Sequence, residues 1–335
     1  MKQRERILGI RLYLSLICAC LSSASAEDPG YKYFALGKPG GMVAKTTPGY
    51  ALMGGGTDQD AAFQWMCERA GGGDFLVLRA SGTDAYNPYI RKLCPGLNSV
   101  ATLIITSRQG AVQPFVAEKI HTAAAVFISG GSQDNYINFW RGTPVQDGIN
   151  SAIKKGVPVG GTSAGLAVMG EYSFAALKDT VKSSEALPNP FDEKVTITRD
   201  FLHISLLGDK ITDSHFVARD RLGRLVAFLA RIASNGWTRE PLGIGIDEKT
   251  AVFMDADGGA SVTGAGAAYF LRTPGPPEQC LPNTALTYRN ISVFRLKAGE
   301  ARFNVKTWTG NGGLEYKLSA ENGALKSTLP GNQVY

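Results

Sequence analysis

Residues Gly161-Thr162-Ser163-Ala164-Gly165 form a G-x-S-x-G. That spacing is the mark of a nucleophile elbow. A strand turns sharply into a helix, the serine hydroxyl stands clear of the chain, and the next backbone N–H faces a developing oxyanion. Val157-Pro158-Val159 supplies a strand before the motif, and Leu166 to Met169 begins a helix after it. Ser163 is therefore the candidate nucleophile. A serine needs a base, and the chain has three histidines, His121, His203 and His215. His121 stands at a helix end just before a strand. His203 lies in the apolar alternation of residues 201–206, which reads as a core or sheet-edge position. His215, in Asp213-Ser214-His215-Phe216, sits where a strand gives way to a helix and is the candidate base. A third group must orient the imidazole. Asp213, Asp247 and Glu248 all qualify, the last two because they follow the buried-strand pattern of residues 242–246. The order serine, histidine, acid differs from the serine, acid, histidine of α/β-hydrolases, which argues against a lipase or esterase.

Arg219, Arg221 and Arg224 follow the candidate base, and Arg231 lies further along the same segment. At 100° per residue Arg221 and Arg224 fall about 60° apart on one helical face. They are expected to act together on one carboxylate-bearing region of a substrate, with Arg219 acting from the loop end nearer His215. No C-x-x-C occurs and histidines are few, so neither a metal nor a cofactor is expected. Gly54-Gly55-Gly56 lacks both the G-x-G-x-x-G spacing and the lysine of a phosphate loop.

These residues need a scaffold. Short, wholly apolar runs (50–53, 75–78, 100–106, 124–128, 157–159) alternate with amphipathic stretches and end in glycines or small polar residues. Strands of that kind are buried on both faces, so the sheet is expected to be mostly parallel with helices on each side. Loops beyond the carboxyl ends of such strands form the functional crevice. After residue 250 the period becomes strand-like, and the last 60-odd residues read as a small β-rich appendage on the main sheet. Residues 27 to about 48 are rich in Gly and Pro, with no clear period.

The 335 residues are 44% hydrophobic and 19% charged, which excludes a disordered chain. The net charge of +6 suggests a nucleic-acid partner until its location is counted: Lys2, Arg4, Arg6 and Arg11 against Glu5 place 4 − 1 = +3 within the first eleven residues. The remainder is too dilute to argue for nucleic acid. That cationic start, the apolar run of residues 12–21 and Ala24-Ser25-Ala26 make the three parts of an export signal. The mature chain would begin at Glu27, in the periplasm or outside the cell, with no membrane association after cleavage. Cleavage removes Cys18 and Cys20, leaving Cys67, Cys94 and Cys280. Cys67 and Cys94 flank the strand at residues 75–78 and are expected to pair, leaving Cys280 free.

Four blocks together resemble a known family: Gly130-Gly131-Ser132-Gln133, the 161–165 motif, Asp213 to Phe216 with the arginines at 219, 221 and 224, and Gly243 to Glu248. In order and spacing they are similar to the cyanophycinases, serine peptidases of the peptidase S51 (dipeptidase E-like) group. The resemblance covers about residues 50–255 and implies a three-layer αβα fold with a flavodoxin-like sheet, related to class I glutamine amidotransferases. The chain is expected to divide into a signal at 1–26, a catalytic domain at 27–270 and a β-rich extension at 271–335. Ser163 is implied as nucleophile, His215 as base and Glu248 as orienting acid. Backbone N–H groups near Gly131 and Ala164 are the implied oxyanion donors, and Gln133, Arg219, Arg221 and Arg224 the implied pocket lining. Ser132 and Ser214 depart from the family, which often has Asp and Gln there. The substrate implied is cyanophycin, poly-aspartate with arginine amide-linked to each β-carboxyl, released as β-Asp-Arg. An acid must meet its guanidinium, and Asp58, Asp134 and Glu185 are candidates. Other aspartyl peptides, or binding without turnover, are the alternative readings. A homodimer is left open.

Overall fold

The computed structural model describes residues 28–40, 43–299 and 302–335. The export-signal segment, residues 1–26, lies outside the described residues. Along the chain, β1 (Tyr31–Gly37) and β2 (Gly49–Met53) precede α1 (Asp60–Arg69), β3 (Asp74–Arg79), α2 (Tyr86–Leu93) and β4 (Ser99–Ile105). Then come α3 (Arg108–Ala111), α4 (Pro114–Thr122), β5 (Ala125–Ile128), α5 (Gln133–Trp140), α6 (Pro144–Lys154) and β6 (Val159–Thr162). Next are α7 (Ala164–Ala167), β7 (Tyr172–Phe174), α8 (Ser183–Ala186), β8 (Ile197–Arg199), β9 (Lys210–Asp213), α9 (Leu222–Ser234) and β10 (Leu242–Ile246). The remainder is strand: β11 (Thr250–Asp255), β12 (Gly259–Gly264), β13 (Ala267–Arg272), β14 (Tyr288–Lys297), β15 (Phe303–Asn304), β16 (Thr309–Gly310), β17 (Leu314–Glu321) and β18 (Ala324–Ser327).

The strands form two sheets. The first has the order β1-β4-β3-β5-β6-β2-β11-β12-β15-β16. Its centre, β4 to β2, is parallel, as fully apolar strands require. Alternation along those strands divides the packing. Met53, Phe75, Val77 and Phe127 join one core with Phe63 and Met66 of α1 and Ile90 of α2. Leu52, Leu76, Leu78, Val126 and Ile128 join another with residues of α4, α5 and α6. The helices start where local chemistry allows. Pro114 and Pro144 occupy first-turn positions, and the Thr143 hydroxyl accepts from the Val145 N–H at 3.3 Å.

The second sheet was not foreseen as a separate unit. Its order is β18-β17-β14-β13-β10-β9-β7-β8, with β7, β9 and β10 parallel and the rest antiparallel. α9 packs on it, burying Leu225, Phe228 and Leu229 in a third core. The C-terminal residues are therefore not an appendage on one sheet. β14, β17 and β18 extend the second sheet, and β15 and β16 finish the first.

Cys67 and Cys94 are bonded, 27 residues apart, and Cys280 is a buried free thiol. The bridge joins α1 to the end of α2. Closing that loop restricts the unfolded chain, so replacing both cysteines by serine should lower unfolding stability by roughly 3–4 kcal/mol. Urea unfolding of the oxidised and doubly substituted chains measures it. A loss under about 1 kcal/mol would contradict this origin of the stabilisation.

Candidate active site

The ends of five strands from both sheets meet at one place. β2 runs into Gly54-Gly55-Gly56, β5 into Ser129-Gly130-Gly131, and β6 into Ser163. From the second sheet, β9 leads to Ser214 and His215, and β10 to Asp247 and Glu248. The site is thus a seam between the sheets, closed by backbone bonds. The His215 N–H, beyond β9, donates to the Gly54 carbonyl beyond β2 at 2.7 Å, and the Lys249 N–H, beyond β10, to the Gly55 carbonyl at 2.8 Å.

Ser163 has φ 53° and ψ −114°. This left-handed backbone costs a non-glycine residue of order 1–3 kcal/mol and persists only where neighbours hold it. Its N–H donates to the Met53 carbonyl at 3.1 Å, and its own carbonyl accepts from the Ala167 N–H at 3.0 Å. A side chain at Gly165 would collide with the Ile128 carbonyl, so the elbow fits only glycine there. His215 is also left-handed, at φ 48°, with its N–H donating to the Gly54 carbonyl at 2.7 Å.

Ser163 Oγ lies 2.7 Å from His215 Nε2, and His215 Nδ1 lies 2.5 Å from Glu248 Oε1. A carboxylate can only accept, so Nδ1 carries the proton and Nε2 is left to accept from the serine. Of the three acids open in the sequence, Glu248 reaches the imidazole. Asp247 instead accepts from the backbone N–H groups of Val217 and Ala267. Gly55 lies against the ring: a Cβ there would stand 2.5 Å from Cε1. Of the other histidines, His121 is exposed, with Nε2 2.9 Å from Lys155 Nζ. His203 is exposed too, its N–H donating to Asn150 Oδ1. His203 is therefore not the core residue its apolar neighbours suggest.

Burial pushes the His215 imidazole below its ordinary value. The Glu248 hydrogen bond opposes that shift, and the Arg219 and Arg221 charges add to it. The hydrogen bond from His215 holds the Glu248 carboxyl below its usual range. A base must be neutral to accept the serine proton. Hence kcat/KM should hold as pH falls to about 6.5 and decline only below it, through the depressed histidine value. A pH profile checks this, and an acid limb centred near 7 or above would contradict it.

A cleft of about 420 Å³ adjoins the loop that follows His215, lined by Gly131, Gln133, Asp134, Asp179, Arg219 and Arg221 among others. Gln133 Nε2 donates to the Phe174 carbonyl at 3.0 Å. Arg219 is exposed, its Nε 4.0 Å from Glu248 Oε1. Arg221 donates to the Ser214 carbonyl at 2.9 Å, and burial pulls its guanidinium down to about 10. Arg224 must be corrected. It is 2% exposed, and Nε and Nη2 bind Asp213 bidentately at 2.8 and 2.6 Å. Nη1 is taken by Thr180 and the Val181 carbonyl. It cannot share a substrate with Arg221, because its donors are spent inside the protein. The two arginines do lie on one side, but what they meet there is Asp213, 3.5 Å from Arg221. Among the candidate acids, Asp134 lines the cleft, whereas Glu185 pairs with Lys194 at 2.6 Å. Asp179 was not singled out, because its segment has no period. Among the described residues no group of three or more His, Cys, Asp or Glu is arranged to hold a metal, and no helix is long and apolar enough to cross a membrane.

Fold and site together define the class: an α/β protein of the serine-peptidase type. The family model of peptidase family S51 matches residues 76–262, and the chain belongs to that family. It is 29% identical over 211 residues to a cyanophycinase of Synechococcus elongatus, covering 60% of each chain. Identity is also 29% over 215 residues to a cyanophycinase of Trichormus variabilis, covering 63% of this chain and 66% of the relative. The chain thus spans about three fifths of the length of the first of these relatives. The crystal structure of a peptidase from an acI-B1 Actinobacterium superposes with a TM-score of 0.52 at 18% identity, covering 78% of this chain and 98% of that one. That likeness concerns the fold.

Proposed function

We propose that the chain is an exported serine-type hydrolase that cleaves cyanophycin into β-Asp-Arg through an acyl-enzyme. The observation that carries this reading is the Ser163, His215 and Glu248 hydrogen-bond chain beside a cleft lined by arginines and carboxylates alike. A cleft with both signs of charge suits a substrate with both signs, and an Asp-Arg unit carries a carboxylate and a guanidinium. Arg219 and Arg221 are proposed to take the carboxylate, with Asp134 and Asp179 available to the guanidinium. The parallel centre, read from β3 onward as 2-1-3-4, supports the flavodoxin-like reading. Residues 1–26 are read as the export signal, which puts the mature protein in the periplasm or outside the cell.

In the proposed mechanism Ser163 Oγ attacks the scissile carbonyl while His215 Nε2 takes its proton. Glu248 keeps the imidazole in the right tautomer and stabilises the imidazolium. The N–H of Ala164, first in its helix and so without an intrahelical partner, and that of Gly131 are the proposed oxyanion donors. His215 returns the proton to the leaving amine, and water then releases the acyl group by the reverse sequence.

The test is incubation of residues 27–335 with insoluble cyanophycin, followed by mass spectrometry of the soluble products. Release of β-Asp-Arg is the expected result. Cleavage of simple aspartyl dipeptides with no release from the polymer would replace this substrate by the dipeptidase reading.

A further inference from the structure

Asp58 makes two short hydrogen bonds that the serine, histidine and glutamate chain does not use. Thr162 Oγ1 donates to its Oδ1 at 2.6 Å, and the Tyr86 hydroxyl to its Oδ2 at 2.5 Å. Thr162 is 4% exposed and immediately precedes Ser163. Tyr86 is itself fixed against Phe63 and Phe127. Asp58 closes the loop that leaves β2, and that loop touches every part of the site. The Met53 carbonyl accepts from Ser163, that of Gly54 from His215, and that of Gly55 from Lys249 at 2.8 Å. A Cβ on Gly56 would come within 3.3 Å of Glu248 Oε2.

Ser163 and His215 both hold positive φ, at 53° and 48°. A strained backbone relaxes unless its surroundings fix it. We propose that Asp58 is a positioning residue: by tying Thr162 to Tyr86, it keeps the elbow in the conformation that sets Ser163 Oγ against His215. This rests on the reading of Ser163 as nucleophile. A rival role for Asp58 is direct contact with the substrate guanidinium. The geometry disfavours it, because each carboxylate oxygen already accepts a hydroxyl from the protein.

A displacement of about 1 Å at a reacting group can cost up to about 100-fold. Asp58→Ala is therefore expected to lower kcat by roughly ten- to a hundredfold, with KM unchanged within about twofold. Labelling of Ser163 by a small fluorophosphonate should slow by the same factor. Thr162→Val should reproduce the loss, and the double variant should be no worse than either single one. Thr162→Ser keeps the hydroxyl and should keep the activity. Circular dichroism and unfolding curves establish that each variant is folded. Where Asp58→Ala fails to fold, the Thr162→Val and Thr162→Ser pair decides alone. A raised KM with unaltered labelling would overturn the proposal in favour of substrate contact. Losses that add in the double variant would overturn it too, as would no loss at all. The unaltered chain separates the two readings. If it is not labelled at Ser163, the nucleophile assignment fails and this proposal with it. If it is labelled but inactive on cyanophycin, only the substrate reading fails, and the labelling rates still test Asp58.

Discussion

Ser163→Ala is expected to lower turnover by about 10⁴-fold or more, since Ser163 is the proposed nucleophile of the acyl-enzyme route. The hydroxyl stands 2.7 Å from His215 Nε2, so in the proposed mechanism its loss removes both the attacking oxygen and the proton that the imidazole would take. His215→Ala should be nearly as damaging. Glu248→Gln should be milder, because Glu248 orients the ring and transfers no proton itself. Folding should be little affected by Ser163→Ala: unfolding in urea should shift by less than about 1 kcal/mol. Activity of Ser163→Ala near that of the unaltered chain would exclude the nucleophile assignment.

The largest effect on stability is expected at Arg224. Arg224→Met leaves Asp213, 2% exposed, without its bidentate partner. Breaking a buried pair from one side typically costs about 3–5 kcal/mol. Here the Ser214 N–H at 2.8 Å and Arg221 at 3.5 Å still face Asp213, so the lower end, about 3 kcal/mol, is expected. Arg221→Lys should behave in the opposite way, with a small change in stability and a loss of roughly one to two powers of ten in kcat/KM. Lysine cannot reproduce the planar two-donor fork. Urea unfolding and kinetics on both variants separate the two roles. If Arg224→Met instead kept its stability and raised KM, Arg224 would return to the substrate pocket.

The contrast between these two arginines shows what can be read without coordinates. Their spacing and shared direction were visible, but no spacing rule says that the carboxylate meeting Arg224 belongs to the protein and not to a substrate. Sequence patterns located the parallel strands well. Fully apolar runs such as residues 75–78 and 125–128 have few other ways to be satisfied than burial on both faces. β1 was missed although Tyr31 and Tyr33 alternate, because its remaining side chains are largely exposed and only those two rings pack on Phe115. The second sheet was hidden for a different reason: strand pairing is long-range, and nothing local says that β10 will lie between β9 and β13. The site follows the same rule. Ser163 and His215 carried local turn signatures. Residue patterns alone left Glu248 level with Asp213 and Asp247; only the family resemblance favoured it, and the ring geometry separates the three. Asp58 meets Thr162 across 104 residues, and no spacing rule anticipates such a contact.

The most direct test of the account is to treat the folded chain with a fluorophosphonate and map the adduct by peptide mass spectrometry. Ser163 should carry it, and labelling should fall sharply in His215→Ala, because the reaction needs the imidazole to take the serine proton. Hydrolysis of substrate by a chain that is modified at another residue, or that leaves Ser163 unmodified, would contradict the assignment of Ser163, His215 and Glu248 as the machinery of this peptidase.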